Sequence, residues 1–186
     1  MLDKSSLKSA IAGELKNNAD SSADFAQMLM DAYVAYAEKG EDISGDVVAV
    51  PLDNTKGVTT LTRTMDAVNK EGITESMAAS MLSSALGTAL TSVWVPGMLF
   101  GVTAPGVKGT VAFTFNETRA AVNFVGNPAV VVITSLPPTT NLNDAAGVWA
   151  DAMHAFTQTV VVEIYGQITT PNGPVSAPAP LMGPLT

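Results

Sequence analysis

Apolar residues in the first third of the chain recur at the three- and four-residue steps that are typical of amphipathic helices. These runs predict helices over about 4–16, 22–39 and 59–71. The second run is the strongest, because capping-type residues precede it and a glycine ends it. Its predicted apolar face consists of Phe25, Met28, Leu29, Ala32, Tyr33 and Tyr36.

The same periodicity returns after Thr74 and predicts a helix over 75–95. Apolar residues occupy one side of this helix, whereas Ala, Ser, Gly and Thr fill the remaining positions. Small side chains allow neighbouring helices to approach closely in a bundle, a symmetric ring or a bilayer. We therefore expect Ala85, Ala89 and Trp94 to lie at an interface.

Alternation with a period of two, which is typical of strands, replaces the helical pattern further along the chain. Strands are predicted over 110–115, 119–125 and 129–134, with turns at 116–118 and 126–128. Three such strands in succession indicate a small antiparallel meander.

A further helix is predicted after the meander, with Asn141 or Asn143 as its N-cap. Together these elements predict an α+β fold, in which amphipathic helices pack with a small antiparallel β-meander and an extended Pro-rich C-terminal strap follows. On this basis the chain divides into an acidic helical N-terminal region over 1–72, a helix/β-meander/helix core over 73–168 and the strap over 169–186.

The strap has five prolines between 171 and 186 and carries no charge. A Pro-rich segment is ordered only where another surface holds it, so we expect it to lie along its own domain or along a neighbouring subunit. The apolar anchors expected at that interface are Val175, Leu181, Met182 and Leu185.

Charge is distributed unevenly along the chain. Residues 1–75 carry 20 Asp, Glu, Lys and Arg residues, and the other 111 residues carry six. About a quarter of the residues of a soluble domain are normally charged, so a charge-poor stretch of this length makes a poorly hydrated surface. Other copies of the chain, a larger assembly or a membrane are the candidates to cover it.

The overall composition excludes several classes of function. A net charge of −8, with nine scattered Lys and Arg residues, argues against direct binding of nucleic acid. Cysteine is absent, which removes disulfides and thiolate metal sites. The opening residues 1–8 are mixed in charge and lack an apolar run, so no secretory signal peptide is expected.

No constellation of residues in the chain identifies a reaction. The acidic segment 40–46 could hold a calcium ion, but the ligand spacing of a calcium loop is missing and a solvated loop is favoured. The glycines of 101–110 precede a strand rather than the helix of a phosphate loop. Asp151 lies one helical turn before His154 and could orient its imidazole for general-base catalysis. A histidine with a structural role is the commoner arrangement. We expect no enzyme activity, no cofactor and no metal site.

The run 144–157, the valines of 160–162 that follow it and the Pro/Gly/Thr-rich end of the chain resemble small virion proteins of tailed bacteriophages. The proteins meant are the neck, tail-completion and baseplate components that form rings between head and tail. The resemblance implies a non-enzymatic structural subunit of a multi-copy virion, assembled in the host cytoplasm. Its partners would be copies of itself and other virion proteins.

A membrane-associated or pore-forming protein that inserts helix 75–95 is the alternative, because residues 76–107 carry no charge. Against insertion, the helix contains many Ser and Thr residues, lacks basic flanks and meets Pro96. A buried helix is the favoured interpretation, and no membrane partner is expected.

Overall fold

The computed structural model describes residues 2–16, 20–42, 47–49, 51–94, 99–100, 107–108, 114–123, 141–170, 172–176 and 181–186. Within these residues the helices are α1 (Lys4–Leu15), α2 (Ser22–Ala37), α3 (Thr55–Val68), α4 (Glu75–Val93) and α5 (Leu142–Thr157). The strands are β1 (Leu99–Phe100), β2 (Val107–Lys108), β3 (Thr114–Asn123), β4 (Val161–Thr170), β5 (Gly173–Ser176) and β6 (Leu181–Pro184). The fold class is α+β, as the sequence predicts.

Side-chain caps explain where the helices begin. Ser21 caps α2, since its Oγ accepts a hydrogen bond from the backbone N–H of Asp24 at 3.1 Å. Thr74 and Asn141 cap α4 and α5 in the same way, at the predicted positions. Helix α3 begins four residues before its predicted start, where the Asp53 carboxylate accepts from the N–H of Thr55.

The sheet is built on one long antiparallel pair, β3 with β4, in which Asn123 lies opposite Val161 and Thr114 opposite Thr169. The predicted turn at 116–118 is wrong, because strand β3 continues through these residues. The register shifts between Glu117 and Arg119, so a bulge absorbs the irregularity while pairing with β4 continues on both sides. The predicted strand over 129–134 lies outside the described residues.

Strands β1 and β2 pair with β3, and β5 and β6 pair with β4, all of them antiparallel. The described parts of the predicted strap therefore belong to the sheet of their own chain. After β6, the backbone of Thr186 exchanges two hydrogen bonds with Glu41, of 2.9 and 3.0 Å. The Leu185 side chain is 2% exposed and belongs to the core. The residues 171 and 177–180 of the strap lie outside the description.

One hydrophobic core joins the helices to the sheet. On β4, Val162 and Ile164 are buried, whereas Tyr165 is exposed, so one face of this strand packs inward. Helix α5 contacts α1, and α3 contacts both α2 and α4. Gly57 allows α3 to approach α4 closely, since a Cβ there would lie 3.3 Å from the carbonyl oxygen of Ala89.

Candidate functional site

A buried chain of hydrogen bonds crosses the core between α4, α2 and α5. The indole N–H of Trp94 donates to the Tyr33 hydroxyl oxygen at 2.7 Å, and the Tyr33 and Thr157 hydroxyls lie 3.0 Å apart. Thr157 donates to the Met153 carbonyl at 2.8 Å, so the Tyr33 hydroxyl must donate to Thr157. Burial raises the pKa of Tyr33 to about 12, which keeps the hydroxyl proton in place for this bond.

A second, partly buried polar contact joins α2 to α5, where the Tyr36 hydroxyl is hydrogen-bonded to His154 Nδ1. Partial burial and the Lys4 ammonium lower the pKa of His154, and the Asp151 carboxylate offsets part of that effect. The imidazole is therefore neutral at pH 7. Burial, with the nearby Tyr33 and Asp3, raises the pKa of Tyr36. The Tyr36 hydroxyl donates to Nδ1 in the tautomer of His154 that carries its proton on Nε2, and it accepts from Nδ1 in the other tautomer.

The pairing considered for catalysis from the sequence, His154 oriented by Asp151, is not the hydrogen bond that the structure makes. Asp151 forms an ion pair with Lys4 at 2.9 Å, and both side chains are more than half exposed. Solvent screens an ion pair between exposed side chains, so it contributes little to the stability of the fold. Among the described residues, no group of three His, Cys, Asp or Glu side chains is placed to hold a metal ion.

A pocket of about 320 Å³ opens where α2, α3, α4 and α5 converge. Phe25 and Trp149 line it as an edge-to-face aromatic pair, with ring centroids 6.0 Å apart. Met65, Leu82 and Val68 complete its apolar lining. The remaining lining residues are Ser21, Ser22 and Asn69, which are neutral and polar. The lining carries no charge, and its composition suits an apolar group of the size of one or two rings.

A groove of about 520 Å³ runs between α1 and α2. Its alanine lining, Ala10, Ala32 and Ala35, is shared with a neighbouring cleft of about 80 Å³. Glu14, Asp24 and Asp31 make the groove acidic.

The residues that the sequence predicts at an interface occupy two kinds of position. Ala85, Ala89, Trp94 and Leu185 are between 0 and 6% exposed and pack in the core of their own chain. Their own chain therefore covers these four side chains. Val175 lies in β5 and Leu181 and Met182 lie in β6, but their side chains are outside the description.

The exposed side of α4 is a different surface from the one that the prediction named. Ser76, Met77, Ser80, Ser84 and Thr88 are exposed there, and α4 carries no charged residue after Glu75. This surface is called the α4 face below. Within the part of the chain that the structure describes, no helix has both the length and the apolar character needed to cross a bilayer.

Sequence reasoning missed the pocket and the buried hydrogen bonds. Phe25, Tyr33 and Tyr36 were placed correctly on one helix face, but their partners Trp149, Thr157 and His154 follow far along the chain. The available signal was the spacing of the two tyrosines on an apolar face, since buried hydroxyls require partners.

Comparison of the chain with protein-family models, with curated proteins and with solved structures found no match.

Proposed function

We propose that the chain is a non-enzymatic structural subunit of a multi-copy assembly, acting through contacts between subunits. The observation that carries this proposal is the α4 face, an exposed helical surface without charge. It lies in the part of the chain, 76–186, that carries six charged residues in all. Such a surface gains less from hydration than a charged one, and association covers it.

Hydrogen bonding within α4 lowers the penalty for removing water from this side of the helix. The Thr88 hydroxyl donates to the Ser84 carbonyl at 3.0 Å, and Ser83 and Thr91 donate to the carbonyls of Ala79 and Gly87. These hydroxyls keep a partner when water leaves, so their desolvation does not leave an unsatisfied donor. The small side chains also permit close approach of a second helix.

Within this proposal the assembly is the virion of a tailed bacteriophage, and the subunit belongs to its neck, tail or baseplate. The resemblance of 144–157 and of the Pro-rich end supports the virion assignment. The partners are copies of the chain and other virion proteins, brought together in the host cytoplasm. Its presence at a fixed copy number in purified virions, measured by quantitative mass spectrometry, tests this part.

The contact itself is tested with a matched pair of charge substitutions. Thr88→Lys places an ammonium group on the α4 face, and Thr59→Lys places one on α3. Both threonines are exposed, and both donate to the carbonyl four residues earlier at 3.0 Å. We expect the unsubstituted chain to associate at micromolar concentration in light scattering, Thr88→Lys to weaken association, and Thr59→Lys to leave it unchanged.

A chain that stays monomeric at all accessible concentrations would contradict the proposal. Equal effects of the two lysines would show that net charge, rather than the α4 face, controls association. Circular dichroism of both variants checks that each is folded.

A further inference from the structure

We propose that the pocket between α2, α3, α4 and α5 binds a small, neutral aromatic molecule of one or two rings that carries one hydrogen-bonding group. This binding is separate from the proposed assembly function and does not depend on it. The volume of the pocket, about 320 Å³, lies within the range of small-molecule sites in proteins, which starts at about 300 Å³. The packing, the aromatic rings and the charges of the lining specify the class of molecule.

The apolar wall of the pocket is held in place by the core of the chain. Met65, Leu82 and Trp149 border the pocket although they are only 7, 5 and 3% exposed. Such side chains lose little conformational freedom when a molecule enters, so binding has a low entropic cost. Phe25 and Val68 are half-buried in the same lining, and a bound apolar molecule covers part of their exposed surface.

The aromatic residues of the lining favour a planar ring as the ligand. The rings of Phe25 on α2 and Trp149 on α5 are inclined at 67°, with their centroids 6.0 Å apart. Aromatic rings prefer edge-to-face and offset-stacked contacts with one another. A ring that enters the pocket can therefore lie against one of these two residues and meet the other edge-on.

Two polar side chains of the lining are available to a ligand. The Ser22 hydroxyl and the Asn69 carboxamide make no hydrogen bond with the part of the chain that the structure describes. The Ser21 hydroxyl differs, since it donates to the Asp24 carboxylate at 2.6 Å and accepts from the Asp24 N–H at 3.1 Å. Ser22 and Asn69 offer both donors and acceptors, so a single polar group of either kind on the ligand finds a partner.

The charges of the lining favour a neutral molecule over an ion. None of the residues that line the pocket is charged, so an ion that entered it would lose water without gaining a partner of opposite charge. The Asp24 carboxylate, which is hydrogen-bonded to Ser21 of the lining, further disfavours an anion.

Indole is a suitable probe, because it has two fused rings, no charge and a single N–H donor. Isothermal titration calorimetry measures its binding to the full chain, and the accompanying rise in melting temperature provides a second readout. Indole-3-carboxylate, which has the same rings and an anionic group, is the ligand control. We expect indole to bind one site per chain with a submillimolar Kd, and the carboxylate to bind about tenfold more weakly or worse.

Substitutions in the lining locate the binding site. Phe25→Ala removes one ring and should weaken indole binding about tenfold or more. Val34→Ala is the matched control, because Val34 is half-buried on the same helix and does not line the pocket. Asn69→Ala, at an exposed position, removes a polar partner without removing packing and should weaken binding about threefold. Circular dichroism checks the fold of each variant, and Asn69→Ala decides the question if Phe25→Ala does not fold.

The inference is overturned if indole does not bind, if it binds the two lining variants as tightly as the unsubstituted chain, or if the carboxylate binds equally well. An apparent Kd for indole that rises with protein concentration would show that a second copy of the chain fills the pocket, and would also overturn it. The assembly function is tested at the α4 face by light scattering, so its failure and the failure of this inference are distinguishable.

Discussion

The hydroxyl of Tyr33 lies between the indole of Trp94 and the hydroxyl of Thr157, inside the core. Each donor in this series has one acceptor, and the last acceptor is the Met153 backbone carbonyl. A buried polar group stabilises a fold only when its hydrogen bonds are made. Here the Tyr33 hydroxyl makes two, since it accepts from Trp94 and donates to Thr157.

Replacing Tyr33 by Phe should lower the free energy of unfolding by about 1–3 kcal/mol, because the Trp94 N–H loses its buried acceptor. Urea denaturation measures the change. Tyr165→Phe is the control, since its hydroxyl bond is at an exposed site, and its effect should be within about 0.5 kcal/mol. Equal losses in the two variants would show that the buried network contributes nothing special.

His154 should make stability depend on pH. Its pKa in the folded chain is lower than the ordinary value of 6.5, so the unfolded chain binds a proton more readily. The contribution of neutral His154 to the free energy of unfolding is therefore complete above pH 6.5. It is lost as the pH falls from 6.5 through the pKa of His154 in the folded chain.

The measurement is urea denaturation across that range for the unsubstituted chain and for His154→Gln. Glutamine keeps a polar side chain but does not titrate, so the difference between the two chains isolates the histidine. The difference should shrink as the pH falls below 6.5. A difference that grows on acidification would contradict the direction of the pKa shift.

At the scale of elements, helix packing depends on a few small residues. A Cβ at Gly57 of α3 would lie 2.6 Å from Met30 Cε of α2 and 3.3 Å from the Ala89 carbonyl of α4. The three helices therefore meet where glycine and alanine leave room. This is the close approach that the small residues of α4 predicted, and it occurs within the chain.

Ala89→Leu should destabilise the fold by about 1–3 kcal/mol, because its added carbons enter a fully occupied contact. Ser84→Leu is the matched control on the exposed side of the same helix, and its effect on unfolding should be small. Thermal unfolding followed by circular dichroism compares them. Similar melting temperatures for both would show that the space around Ala89 is open.

On the scale of the whole molecule, the end of the described chain joins the sheet to the helices. Strand β6 pairs with β4, Leu185 enters the core and Thr186 pairs with Glu41 beyond α2. A segment held in this way contributes to the stability of the entire domain, whereas a strap on a neighbouring subunit would not.

Leu185→Ala should therefore lower the free energy of unfolding by about 2–5 kcal/mol, as buried leucines do. Pro184→Ala, at the exposed neighbouring position, provides the control and should have a minor effect. Chemical denaturation of dilute protein separates folding from association. A Leu185→Ala variant of normal stability that associates poorly would favour the strap interpretation instead.

The sequence by itself determined the α+β class and the positions of all five described helices. Local rules carry that information, because apolar periodicity reflects the helix repeat and Ser21, Thr74 and Asn141 cap through neighbours a few residues away. The late predicted start of α3 has the same origin, since the Asp53–Thr55 contact was not recognised as a start signal.

Only the tertiary structure decided how distant segments combine. Residues 116–118 are of turn-forming types, yet Asn116 and Glu117 pair with β4, which follows α5 in the sequence, and the segment stays within strand β3. Ala85, Ala89, Trp94 and Leu185 became core rather than interface because their own chain covers them. The pocket requires Phe25 of α2 to meet Trp149 of α5, where α3 and α4 also converge. Each outcome depends on contacts between residues far apart in sequence, where burial and pairing outweigh local preference.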